Sequence, residues 1–388
     1  MPPRKRPDAQ LDLLAVRADP ARAAAIAALS SLSEAQRDDA IVGQLVAWFE
    51  LVARDLPWRR RRDPYAVWLS EIMLQQTRVD TVVPYFKRFL ERFPDVEALA
   101  SAEIDEVLKM WSGLGYYRRA RVLYATAREV TARYGGEFPG EAAALRELPG
   151  IGAYTAGAIA SLAFNKREPL VDGNVARVFA RLFGIEDEIR GALVVKRLWT
   201  IAWRLVPEER PGRFNEALME LGATVCTPRD PRCGACPIEA LCAARASGRV
   251  MDLPVIEAKK KVPVVKMFAA VLRRGPRVLL ARREEGGLFG GLWEPPMVEA
   301  ASIEEARALL GDVGVAATVE LREAGQIKHV LSHKELRVTV VAGTIAGKMK
   351  APKGLGPPYE QAAWLDPDDA EIGVSTLARK VLAAALAP

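Results

Sequence analysis

At 388 residues the chain exceeds one ordinary domain, so two or three are expected, and a composition half apolar and 27% charged supplies material for sizeable cores. The formal net charge of +6 favours a polyanionic partner. No apolar run reaches membrane-helix length and none follows the basic MPPRKRP start as a signal peptide would. Four cysteines confined to 226–242 exclude a secreted disulfide framework, so an intracellular protein is expected.

Residues 1–38 read as an extension, a basic Pro-rich tip followed by an Ala-rich segment. From Ile41 the pattern is helical, with Ile41, Leu45, Trp48, Val52 and Leu56 at helical spacing. Further helical patterns cover 65–77, 79–92, 103–110, 117–134, 141–147, 152–163, 174–183, 193–205 and 213–224, and no strand pattern competes. Residues 39–248 are therefore expected to form an all-α domain.

Three stretches of this domain carry chemistry. In VWLSEIMLQQTRV, Glu71 follows Val67 and Trp68 by one turn and precedes Leu74 by one. Burial on that apolar face would disfavour its charged form, as a proton donor needs. A helix-end glutamate that escapes to solvent is the plain alternative. LPGIGAYTAGAIASLAF begins with Leu148, Gly150 and Gly152, either an ordinary helix-to-helix turn or a tight turn before a helix N-terminus that can hold a phosphate through backbone N–H groups. In VDGNVARVFARLFG, Asp172 and Asn174 stand just before a helix. Either could cap it, and its positive end would keep Asp172 ionised. Glu71 and Asp172 are thus expected to have divergent proton affinities, the pattern of an acid and a charge stabiliser.

Cys226, Cys233, Cys236 and Cys242 form C-x6-C-x2-C-x5-C. Four thiolates on a compact loop can hold a 4Fe–4S cluster or a structural zinc. Zinc ribbons bring two C-x2-C knuckles together, and the single knuckle here favours iron–sulfur. Arg229 and Arg232 inside the loop would face phosphates or balance the cluster's charge. Residues 249–264, Pro-punctuated and charged, read as an exposed linker. From 265 to 388 the texture becomes α+β. VVKMFAAVLRR, RVLLARR, QIKHVLSH and ELRVTVVAGTIAG read as strands, and SIEEARALLGD and VSTLARKVLAAAL as helices.

LPGIGAYTAGAI, VDGNVARV and the cysteine spacing, in that order, resemble the helix–hairpin–helix DNA glycosylase superfamily. Within it, WLSEIMLQQTRVDTVVPYF, WSGLGYYRRA and the trailing α+β domain resemble MutY-type adenine DNA glycosylases, over roughly residues 41 to 385. The resemblance implies a six-helix barrel with an iron–sulfur subdomain, followed by a Nudix-like domain. The implied activity is removal of adenine opposite 8-oxoguanine or guanine in duplex DNA, by a monomer. It assigns Glu71 as catalytic acid, Asp172 as stabiliser of the oxocarbenium ion and Asn174 as its polar neighbour. Flipping the adenine out of the stack precedes the chemistry. Gln76 and Thr77 match residues that fill the vacated space and contact the opposite base, and Tyr116 matches an aromatic wedge beside the oxidised guanine. Arg54, Leu56, Trp58 and Glu216 resemble the adenine pocket's lining. Endonuclease III-type relatives place a nucleophilic lysine where this chain has Tyr154, which implies a monofunctional enzyme.

On the Nudix spacing E-x7-R-E-x2-E-E-x-G, this chain offers Glu299 and Arg307, then Ala308, Gly311, Asp312 and Gly314, so no Nudix hydrolysis is expected. Both histidines fall in HVLSH, at His329 and His333. The family's Phe-Ser-His loop for 8-oxoguanine is here Leu331-Ser332-His333, which keeps hydroxyl and imidazole and replaces the aromatic. A glycosylase for another base, such as mispaired thymine, and a catalytically silent DNA-binding module are the competing readings.

Overall fold

The computed structural model describes residues 32–257, 262–312, 320–345, 355–367 and 372–386; residues 1–31 of the expected extension and Gly314 lie outside them. In chain order come α1 (Glu34–Val52), α2 (Pro57–Arg60), α3 (Pro64–Leu74), α4 (Val79–Arg92), α5 (Val96–Ala100) and α6 (Ile104–Met110). Then follow α7 (Arg118–Tyr134), α8 (Ala142–Leu145), α9 (Ala153–Leu162), α10 (Gly173–Phe183), α11 (Ala192–Leu205), α12 (Pro211–Thr224) and α13 (Ala243–Ala246). None of these helices is long and apolar enough to cross a membrane.

Residues 32–71 and 138–257 form one compact unit. α1 starts seven residues before Ile41 because Ser33 and Gln36 close a capping box: the Ser33 hydroxyl accepts from Gln36 N–H, and the Gln36 side chain accepts from Ser33 N–H. Its Ile41, Leu45 and Phe49 are fully buried against Val178, Phe179 and Leu182 of α10 and Leu218 and Leu221 of α12. Each such side chain contributes on the order of 1.5–3 kcal/mol. Part of the expected exposed linker is bound to this unit. Leu253 is buried, its carbonyl accepts from Arg181, and Ile189 N–H donates to Val255.

Residues 72–137 form the second unit together with the C-terminal residues. Phe89 of α4 meets Phe93 and the edge of Trp111 at centroid distances of 5.5 and 5.8 Å. The sheet contains β1 (Val264–Arg274), β2 (Arg277–Arg283), β3 (Trp293–Glu294) and β4 (Met297–Glu299). α14 (Ile303–Asp312) comes next, followed by β5 (Arg322–Val330), β6 (Glu335–Thr344), β7 (Tyr359–Leu365) and α15 (Thr376–Leu386). Its strand order is β3-β2-β1-β6-β5, with β4 added to β1 and β7 to β2. β1 and β6 run parallel, with Val264 opposite Glu335 and Arg273 opposite Thr344.

Strand periodicity divides β1 between two cores. Phe268, Ala270 and Leu272 pack with Ala306 and Leu310 of α14, while Ala269 and Val271 pack with Leu377 and Val381 of α15. Polar contacts join this α/β layer to the helices of its own unit. Tyr117 Oη donates to the Val374 carbonyl at 3.0 Å, Arg121 to Gly290 O at 2.7 Å, and Arg282 to Asp105 at 2.9 Å.

Candidate active site

α3 carries Glu71 into the interior, where the residue is only 5% exposed. From α9, Tyr154 Oη donates to Glu71 Oε2 at 2.6 Å and lies 3.4 Å from Met219 Sδ of α12. Burial pushes the Glu71 carboxyl up to about 7. The Tyr154 hydrogen bond opposes that shift, the Asp172 and Glu216 carboxylates reinforce it, and Arg59 opposes it. Burial also holds the Tyr154 phenol well above its ordinary value, so it stays a neutral donor.

Asp172 is the N-cap of α10, accepting from Val175 N–H at 2.7 Å and from Asn174 Nδ2 at 3.0 Å. Asn174 is not a cap, and its Oδ1 accepts from Arg177 at 3.0 Å. Burial raises the Asp172 carboxyl above the usual value, outweighing the Val175 and Asn174 hydrogen bonds and Arg177. Both carboxyls thus shift the same way. α12 can approach because Gly222 faces Asn174, and a Cβ there would lie 2.7 Å from the Asn174 Cβ.

Leu56 and Trp58 on and before α2 are buried, as is Glu216 on α12. Glu216 accepts from Arg62 at 2.7 Å and pairs with Arg59 at 3.3 Å. Arg54 does not reach Glu216. It forms a bidentate pair with Glu220 at 2.6 and 2.9 Å, joined by Arg59 at 2.8 Å. Sequence reasoning missed Glu220 and Arg59. Their signal was a pair of glutamates four apart in the apolar run NEALMELGA, matching the arginine run at 59–62.

In the hairpin, Ile151 N–H bonds Leu148 O at 3.2 Å, and Gly150 sits at φ +70°, a conformation glycine tolerates. Leu148 is buried, so only its backbone can meet a ligand. Gly152 caps α9 with no side-chain hydrogen bond and open space around its Cα. In the second unit, Gln76 and Tyr116 are exposed at φ 57° and 50°, and Thr77 Oγ1 accepts from Arg119 at 3.0 Å. Ser332 and His333 are exposed on the β5–β6 turn, closed by Leu331 N–H to Lys334 O at 2.8 Å. His329 stands apart from them on β5, 6.1 Å from the Phe289 ring. Arg307 donates to Leu321 O at 3.2 Å.

The four cysteines are not disulfide-bonded and line one cavity with about 310 Å³ of empty space, part of it open to solvent. Among the described residues, no group of three or more His, Cys, Asp or Glu converges as a single-ion site. Burial pushes the Cys236 thiol up to about 12 and raises Cys233 and Cys242. The cationic groups lining the cavity are Arg181 and Arg245. Arg232 instead donates to Thr224 O at 2.7 Å, and Arg229 is exposed.

The description "HhH-GPD superfamily base excision DNA repair protein" matches residues 69–202, and a NUDIX domain matches 267–384. The adenine DNA glycosylase of Homo sapiens is 38% identical over 400 residues, covering 87% of this chain and 72% of that one. The adenine DNA glycosylase of Arabidopsis thaliana is 40% identical over 351 residues, 76% of this chain and 56% of its own. A solved thermostable thymine-DNA glycosylase superposes with a TM-score of 0.50 at 33% identity, covering 54% of this chain and 97% of its own. Identity at this level across most of the human protein, with both domains matched in order, shows that the chain belongs to the adenine DNA glycosylase family.

Proposed function

We propose that this chain hydrolyses the bond between adenine and deoxyribose where adenine stands opposite 8-oxoguanine or guanine in duplex DNA. The buried Glu71 with a carboxyl near 7, hydrogen-bonded by Tyr154, carries the reading. About half of such carboxyls are protonated at neutral pH, and the proton passes to a ring nitrogen of the flipped adenine. As the C1′–N9 bond breaks, its electron pair leaves with the base, and Asp172 faces the cationic sugar. Water then adds at C1′ and returns a proton to the Glu71 carboxylate. Asn174 orients Asp172 through its amide.

Tyr154 offers no amine, so no Schiff base forms and the sugar-phosphate strand stays intact. Glu216, Leu56 and Trp58 are assigned to the adenine pocket, with Arg54 acting through Glu220. Gln76, Thr77 and Tyr116 are assigned to the distorted stack. The backbone at Leu148, Gly150 and Gly152 is assigned to a phosphate, and Ser332 and His333 to the oxidised base.

Cys226, Cys233, Cys236 and Cys242 would hold a 4Fe–4S cluster. The donor set fits it: four thiols line one cavity, and Arg181 and Arg245 beside them offset the thiolate charge. Such a cluster supplies a rigid cross-link for the loop between α12 and α13.

The test is a duplex with one adenine opposite 8-oxoguanine. Free adenine should appear, strand breaks should require alkali, and borohydride should trap no covalent complex. Cleavage without alkali or a trapped adduct would overturn the monofunctional mechanism.

A further inference from the structure

Arg119, on the first turn of α7, is bonded to two separate chain segments. Its Nη1 donates to the carbonyls of Ile72 and Met73 at 2.9 Å and of Gln75 at 2.5 Å. Its Nη2 donates to Thr77 Oγ1 at 3.0 Å, Gly115 O at 3.2 Å and Leu114 O at 3.4 Å. The guanidinium also lies over the Trp111 and Tyr116 rings, 5.2 and 5.4 Å from their centroids. Ile72 and Met73 belong to the last turn of α3, whose carbonyls have no helical partner, and a fixed cation there is favoured by the helix dipole.

The two segments present the exposed Gln76 and Tyr116, each a non-glycine residue with φ in the left-handed region. Such conformations persist only when their surroundings hold them. Here the flanking acceptors on both sides, Gln75 O and Thr77 Oγ1 around Gln76 and Gly115 O before Tyr116, converge on one guanidinium.

We infer that Arg119 is a positioning residue that presents Gln76 and Tyr116 as a preformed pair for base extrusion. It touches neither substrate nor reacting atoms in this account, and the inference rests on the adenine-excision reading above. Burial brings the Arg119 guanidinium down to about 10, which leaves it charged throughout the working range. Lysine cannot replace it, because a compact ammonium with three donors does not span two loops.

The experiment compares wild type with R119K and R119A on two duplexes, adenine opposite 8-oxoguanine and adenine opposite an abasic site. In the second, no partner base resists extrusion. Single-turnover release at the 8-oxoguanine duplex should fall on the order of 100-fold in both variants, the scale expected of a displaced positioning group. The loss at the abasic duplex should be about tenfold smaller. 2-Aminopurine in place of the adenine should brighten on binding wild type and stay dim with the variants. Wild-type rates in R119K, or equal losses on both duplexes as general damage would give, overturn the inference. If wild type itself releases no adenine from either duplex, the underlying reading fails instead.

Discussion

Replacing Glu71 by glutamine should inactivate the protein and stabilise it at the same time. The substitution is isosteric, and the amide oxygen can still accept the Tyr154 hydroxyl that now sits at 2.6 Å. In the folded chain the carboxyl is raised from 4.5 to about 7, a difference worth about 3 kcal/mol. The folded value lies above the unfolded one, so this group's contribution is fully present below about 4.5 and is lost as pH rises through about 7. Glutamine carries no such dependence. The stability of E71Q relative to wild type should therefore grow by about 3 kcal/mol between pH 4.5 and 8, measured by urea unfolding followed through tryptophan fluorescence. Adenine release should fall at least about 100-fold, the usual contribution of a general acid. Parallel stability curves for the two proteins would refute the buried, raised carboxyl. Undiminished release would refute its catalytic role.

Tyr154→Phe removes a hydrogen bond that favours ionised Glu71, worth about 1.5–3 kcal/mol to a charged group, so the alkaline limb of the rate profile should move up by roughly 1–2 pH units. An unmoved limb in single-turnover profiles would separate Tyr154 from the acid. Cys236→Ala should lower bound iron and sulfide in the purified protein, assayed chemically, together with its melting temperature. Unchanged iron would remove Cys236 from the ligand set. His333→Ala should reduce the preference for adenine opposite 8-oxoguanine over adenine opposite guanine by about tenfold, with release opposite guanine nearly unchanged. Equal losses on both would assign His333 to general DNA binding.

The long helices were legible because their apolar residues repeat without interruption, and α4, α7, α10 and α11 begin and end within a residue of the pattern. The earlier start of α1 was also written in the sequence, as Ser33 and Gln36 three apart. β3, β4 and β7 were missed for different reasons. The first two have only two and three residues, and the YEQAAWL run of β7 lacks strict alternation. The packing of 72–137 with the C-terminal residues includes single long-range polar contacts such as Tyr117 to Val374, which leave no periodic trace in the sequence. At the site, the identities of Glu71, Tyr154 and Asp172 stood out in motifs, and the apolar helix face around Glu71 already pointed to a carboxyl raised by burial. For Asp172 the sequence showed the helix end that favours its ionised form, while the burial that raises its carboxyl is set by tertiary packing.

If this pocket selects adenine opposite a damaged or mispaired purine, one duplex set will show it. Single-turnover release would be timed for adenine opposite 8-oxoguanine, guanine and thymine, and for thymine opposite guanine. Adenine opposite 8-oxoguanine should be released fastest, adenine opposite guanine more slowly, and nothing from the other two. Release of thymine, or of adenine opposite thymine at a comparable rate, would contradict that selectivity.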